Sequence, residues 1–225
     1  MKTKIFNLII LDESGSMDCM RKQTIDGCNE TINTVIAAQM KFKDTQEHFI
    51  SIYAFQSDGK IESRYLIKNV PANEVKHITT ADYEPWGTTP LLDAVGSTVT
   101  DLSMKTSKEE LAIGSVTIIT DGWENSSTHY TYPQLAEMIS LLKQKGWNFN
   151  FIGANIDVES ASKSLNIDNC MGFSQDTNED IDAMFEEEKT SRMSYYERVE
   201  HKIKHGKNKS EISEGLKEAS KDYFE

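Results

Sequence analysis

The chain has 225 residues, 38% of them apolar and 27% charged, enough for one sizeable α/β core burying roughly 70% of its unfolded surface. That balance excludes the disordered and fibrous classes, and no stretch approaches the roughly 20 apolar residues that a bilayer span needs. The formal charge of -12, from 36 acidic and 24 basic residues, argues against nucleic acid as the main partner, because the average surface repels a polyanion.

In chain order, Met1 to Leu11 has a basic start and an apolar stretch, but Asn7 interrupts it and no small-residue cleavage site follows. A secretion signal is therefore not expected, and the expected location is the cytoplasm. Ile5 to Leu11 reads as a buried strand, as do Phe49 to Phe55, Ser115 to Thr120 and Asn148 to Ile152. Helical spacing joins Ile25, Ile32, Val35, Ile36 and Met40, then Leu91, Leu92, Val95, Val99 and Leu102, then Leu135, Met138, Ile139 and Leu142. Alternating strands and helices predict a doubly wound, mostly parallel α/β sheet with helices on both faces. Arg64 to Ile67 follows Ser57-Asp58-Gly59 closely enough to return as a hairpin arm, which adds one antiparallel edge strand.

A helix at Val158 to Leu165 and a short strand at Cys170 to Phe173 complete the expected sheet. From Asn178 onward, Ile181, Met184 and Phe185, then Met193, Tyr196, Val199 and Ile203, form an apolar stripe that Gly206 breaks. Ile212, Leu216, Ala219 and Tyr223 form a second stripe, expected as an oligomerisation or partner helix, or as a weakly ordered solvated tail. The basic run His201 to Lys209 reads as a solvated helix end and linker. Cys19, Cys28 and Cys170 are odd in number and lack Cys-x-x-Cys spacing, so they indicate neither a disulfide framework nor a zinc site.

Three short segments carry the chemistry. Asp12-Glu13-Ser14-Gly15-Ser16 follows the first strand, Gly87-Thr88-Thr89-Pro90 opens a helix, and Thr120-Asp121-Gly122 closes the strand at Ser115 to Thr120. A carboxylate and two hydroxyls at alternate positions after a strand can converge on a small divalent cation, with Gly15 permitting the turn. Thr89, directly before Pro90, also suits the N-cap of the following helix.

Together the segments resemble the von Willebrand factor type A domain and its metal-ion-dependent adhesion site, whose pattern is D-x-S-x-S, then a Thr, then an Asp. Gly146-Trp147-Asn148-Phe149 with Ile152-Gly153-Ala154-Asn155 is similar to intracellular prokaryotic and phage members. The resemblance implies the domain over residues 1–196, with a charged helical C-terminal extension over 197–225. It implies metal ligation by Asp12, Ser14, Ser16, Thr89 and Asp121. Thr88 competes with Thr89 for the threonine role, but it occupies the family's usual small-residue place, and this chain departs from the commoner Gly-Gly-Thr. Hard oxygen donors favour magnesium, with manganese as a substitute and calcium less favoured.

The expected function is a non-enzymatic protein-binding module whose cation captures an Asp or Glu of a partner protein. The alternatives are a magnesium-dependent hydrolase or phosphotransferase using Asp12, or an assembly protein with a structural or vestigial metal site. Enzyme signatures are poor: there is no G-x-x-x-x-G-K, G-x-S-x-G or dinucleotide glycine pattern, and Ser160-Ala161-Ser162-Lys163 lacks its companion motifs. His201 and His205 lack a third ligand. Trp86 and Trp123 flank the candidate ligands and read either as packing or as interface anchors.

Overall fold

The computed structural model describes residues 2–58 and 62–224. Gly59 of the expected hairpin turn lies outside them. Six strands form one sheet: β1 Thr3–Asp12, β2 Gln46–Phe55, β3 Arg64–Pro71, β4 Ala112–Thr120, β5 Asn148–Ala154 and β6 Asn169–Phe173. Their order is β3-β2-β1-β4-β5-β6. All pairs are parallel except β2 with β3, so the hairpin arm is the one antiparallel strand and lies at an edge.

The helices are α1 Arg21–Lys41, α2 Leu91–Thr106, α3 Tyr132–Lys143, α4 Val158–Ser164, α5 Asn178–His205 and α6 Lys209–Ala219. Helices α1, α5 and α6 pack together over one sheet face; α2, α3 and α4 cover the other. Because both faces are covered, β1, β4 and β5 are buried along nearly their whole length, including their polar positions Asn7, Ser115, Thr117, Asn148 and Asn150.

Asn7, the polar interruption in the first apolar run, points into this core rather than out of it. Its side-chain oxygen accepts the Tyr196 hydroxyl of α5 at 2.6 Å. Nearby, Arg192 of α5 donates to Glu188 at 2.7 Å and to the Thr117 hydroxyl of β4 at 2.9 Å, and the Tyr223 hydroxyl donates to Glu188 at 3.2 Å. Each partner satisfies a group that would be costly to bury alone.

Helix α5 runs unbroken across position 196 to His205, and Gly206 caps it. The stripe of the tail is packed on the chain itself: Leu216, Ala219 and Tyr223 are buried. Among the described residues, no helix is long and apolar enough to cross a membrane.

Candidate metal site

Asp12 is the last residue of β1, and Asp121 directly follows the last residue of β4. These strands are parallel neighbours with Leu11 opposite Ile119, so both carboxylates come to one edge of the sheet, at the carboxyl ends of the strands. Beyond β1 the chain enters a tight helical turn, Gly15–Met20, that leads straight into α1.

This turn folds Ser14 and Ser16 back over the strand end. Asp12 Oδ1 accepts the Ser14 backbone N–H at 2.8 Å, and Asp12 Oδ2 accepts the Thr120 hydroxyl at 2.6 Å. Ser14 Oγ lies 3.2 Å from Ser16 Oγ, and the Ser16 hydroxyl donates to Asp121 Oδ1 at 2.6 Å. Asp12, Ser14, Ser16 and Asp121 therefore form one continuous chain of polar contacts. Asp12, Ser14 and Asp121 are buried, whereas Ser16 is exposed and opens the cluster to solvent.

The third segment arrives through a loop that closes on the first. The Gly15 N–H donates to the Gly87 carbonyl at 3.2 Å, the Trp86 N–H donates to the Glu13 carbonyl at 2.8 Å, and the Tyr83 hydroxyl donates to the Asp12 carbonyl at 2.7 Å. Gly87 has φ of 72°, the left-handed region that glycine enters without penalty. Gly15, expected to permit the turn, is not in that region, and a Cβ there would lie 3.7 Å from the Gly87 oxygen, an ordinary contact. The conformational need for glycine thus sits at Gly87.

The two threonines separate by environment. The Thr88 hydroxyl lies 2.5 Å from Ser57 Oγ and 2.9 Å from Ser126 Oγ. Thr89 is instead held by its backbone, donating to Asn125 Oδ1 at 2.9 Å and accepting the Asn125 N–H at 3.2 Å. Its hydroxyl lies beside Gly122, 3.4 Å from where a Cβ there would be, next to Asp121. Thr89 does not cap the helix as expected: α2 begins at Leu91 with Pro90 at the cap. Proline keeps the preceding residue out of the helical region. The free N–H groups of Leu92 and Asp93 are taken instead by Glu124 at 2.9 Å and Ser127 at 3.0 Å.

Several positioning residues carried no sequence signal. Glu13 is fully buried, accepts Arg64 from β3 at 2.7 and 3.1 Å and Gln56 at 3.1 Å, and accepts the Glu84 N–H at 2.7 Å. It ties the strand end, the hairpin and the loop at residues 82–88 together. Thr120, Tyr83 and Asn125 act likewise. Their partners lie 36 to 108 residues away, so local spacing could not reveal them.

Burial pushes the Asp12 carboxyl up to about 7; hydrogen bonds from Thr120 and Ser14 oppose this, and the charge of Asp121 adds to it. Asp121 is raised by burial too, against the Ser16 hydrogen bond. Two desolvated carboxylates facing one cluster favour a counter-charge. Asp121 Oδ2 is buried without a hydrogen-bond partner. With hydroxyls as the remaining donors, and neither His nor Cys, the set fits a hard divalent cation. Among the described residues no cluster of three or more His, Cys, Asp or Glu could hold a metal; the candidate set has two carboxylates and takes its remaining donors from hydroxyls.

No family model and no curated protein matches the sequence. Solved structures do match the fold. A von Willebrand factor type A protein from Catenulispora acidiphila aligns with a TM-score of 0.56 at 17% identity, over 85% of this chain and 43% of that one. The pilus adhesin SpaC from Lactobacillus rhamnosus GG aligns at 0.60 with 12% identity, over 87% and 30%. The SpRpn10 VWA domain aligns at 0.54 with 9% identity, over 83% and 94%. The manganese-loaded TRAP protein of Plasmodium vivax aligns at 0.50 with 20% identity, over 80% and 70%. The chain thus spans less than half the length of the first two. At these identities the likeness is one of fold: a doubly wound sheet with one antiparallel edge strand, the von Willebrand factor type A architecture.

Proposed function

We propose that this von Willebrand factor type A fold serves a metal-dependent protein-binding module, in which Asp12, Ser14, Ser16, Thr89 and Asp121 hold a divalent cation, magnesium by donor type. When bound, such a cation supplies positive charge and an exchangeable position for the Asp or Glu carboxylate of a partner. The observation that carries this reading is the unbroken run from Asp12 through Ser14 and Ser16 to Asp121, with Asp121 Oδ2 buried and unpartnered.

The chain's own residues support binding over catalysis. The Asp12 carboxylate is fully buried, and each oxygen already accepts a hydrogen bond. Each oxygen keeps a second lone pair for a cation within the cluster, whereas a nucleophile or base would have to be reached by a substrate from the surface. Thr120 and the Ser14 N–H hold Asp12 in orientation, Ser16 orients Asp121, and the Glu13–Arg64 pair holds the loop bearing Thr89 against the turn.

We assign residues 1–196 as the site-bearing domain of a cytoplasmic protein and 197–225 as its extension. Self-association through that extension would have to use surface other than Leu216, Ala219 and Tyr223, which are buried.

Calorimetric titration of magnesium and manganese into metal-stripped protein tests the reading. Saturable one-site binding, lost in Asp121→Ala and Ser14→Ala, is the expected result. Its absence from the intact chain, or its survival in both variants, would overturn the assignment.

A further inference from the structure

Among the described residues, the exposed large apolar side chains are Met40, Trp86, Met104, Trp123 and Leu141. Met40, Met104 and Leu141 lie in the last turns of α1, α2 and α3, at the edge of the sheet away from the candidate metal site. The two tryptophans lie at the site. Trp123 follows Asp121 by two residues, so their Cα atoms are within about 7 Å, and Trp86 precedes Thr89 by three, within about 11 Å. The loop of Trp86 is also bound to Gly15 and Glu13 of the first segment, through the Gly87 carbonyl and the Trp86 N–H. Their side chains are 56% and 49% exposed, while the third tryptophan, Trp147, is buried at 2%.

The exposed charge of the same rim is mainly acidic: of the nearby cations, Arg64 is paired with the buried Glu13 and Arg21 donates to the Thr80 carbonyl. Asp18, Asp82 and Glu84 are exposed. Such a rim repels a run of acids at short range, and the net charge of -12 does so at longer range. A single carboxylate aimed at the cation, with uncharged neighbours, avoids that cost. Basic residues further out gain from the rim.

We propose that Trp86 and Trp123 are the apolar anchors of this docking surface. The segment they select carries one Asp or Glu between apolar or aromatic residues, with Lys or Arg further out and no acidic run. This rests on the reading that the site captures a carboxylate. Exposed tryptophans beside a polar centre are the residue type that dominates interface energies.

The test pans a random-peptide display library against the full chain in manganese and, in parallel, in chelator. Manganese-dependent peptides with one acid between apolar residues are expected. Such a peptide should shift the tryptophan emission of the wild type to the blue and bind the Trp86→Ala/Trp123→Ala variant at least about tenfold more weakly. Manganese titration of that variant, unchanged from wild type, verifies that its fold and site persist; should it fail, Trp123→Ala alone is used. Manganese-dependent acidic peptides with no apolar flanks, with acidic runs, or with undiminished affinity for the variant would overturn the anchor proposal and leave carboxylate capture standing. Enrichment equal in manganese and chelator, or none, would overturn both.

Discussion

The Thr120 hydroxyl donates to Asp12 Oδ2 at 2.6 Å, bridging the ends of two adjacent parallel strands inside the candidate metal site. Neither residue is exposed, and the bond fixes the carboxylate on which the proposed ligand set depends. Thr120→Val keeps the shape and removes the hydroxyl, and with it both the bond to Asp12 and the acceptor of the Gly122 N–H at 3.2 Å. Magnesium affinity should fall about 10- to 100-fold, the usual effect of losing a group that orients a ligand. Calorimetry on the folded variant reads this directly, and an unchanged affinity would mean that Thr120 has no part in metal binding.

The pH dependence follows from Asp12. Its carboxyl is raised from 3.8 to about 7 in the fold, so the folded state binds the proton more tightly than the unfolded state. The stability linked to this group is therefore complete below 3.8 and is lost as pH rises through about 7; Asp121, raised by the same cause, acts in the same direction. In chelator, Asp12→Asn should be more stable than wild type above about 7 and lose that advantage as pH falls toward 3.8. Magnesium should raise the wild-type melting temperature more above about 7 than below it, because the ionised carboxylate is the ligand. Thermal melts across this range check both, and a magnesium effect larger at low pH would contradict the assignment.

Arg64 neutralises a carboxylate that has no access to water: Glu13 is fully buried beneath it. Arg64→Ala leaves that charge uncompensated and should cost about 3 kcal/mol, because the penalty of a broken buried pair exceeds the net worth of the pair. Adding Glu13→Gln in the same chain should restore part of the loss. Denaturant unfolding of the two single variants and the double variant decides it; a double variant less stable than Arg64→Ala would show that the charge was not the cause.

Tyr223 places the C-terminal extension inside the hydrogen-bond network of the core. It is fully buried and donates to Glu188 at 3.2 Å. Tyr223→Ala should cost about 3–5 kcal/mol as a large buried aromatic lost. Tyr223→Phe removes only a donor to Glu188 and should cost about 1–3 kcal/mol. Equal and small effects in both variants would mean that the extension is dispensable to the fold.

Much of this was legible in the residues themselves. Ile5 to Leu11 is apolar except for Asn7, and Ser115 to Thr120 sets Val and Ile among small hydroxyl residues, patterns without a solvent-facing row of charges that fit strands covered on both faces. The break at Gly206 and the return arm beginning at Arg64 were legible for equally local reasons: a capping glycine and a short hairpin. Asn7 was legible only as an interruption, since its partner Tyr196 lies 189 residues away. Thr89 was misread as a helix cap because the groups that cap α2, Glu124 and Ser127, belong to another loop.

By itself the sequence determined the order of strands and helices, the edge hairpin and the three segments with ligand chemistry, because periodicity, turn residues and donor type are local properties of the chain. Only the tertiary structure decided that β1 lies beside β4, which brings Asp12 and Asp121 to one edge. It alone separated Thr88 from Thr89, turned Glu13 inward onto Arg64, and left Trp86 and Trp123 in solvent around the cluster. Those outcomes depend on which distant groups satisfy which buried polar atoms, a condition that is settled only when the whole core closes.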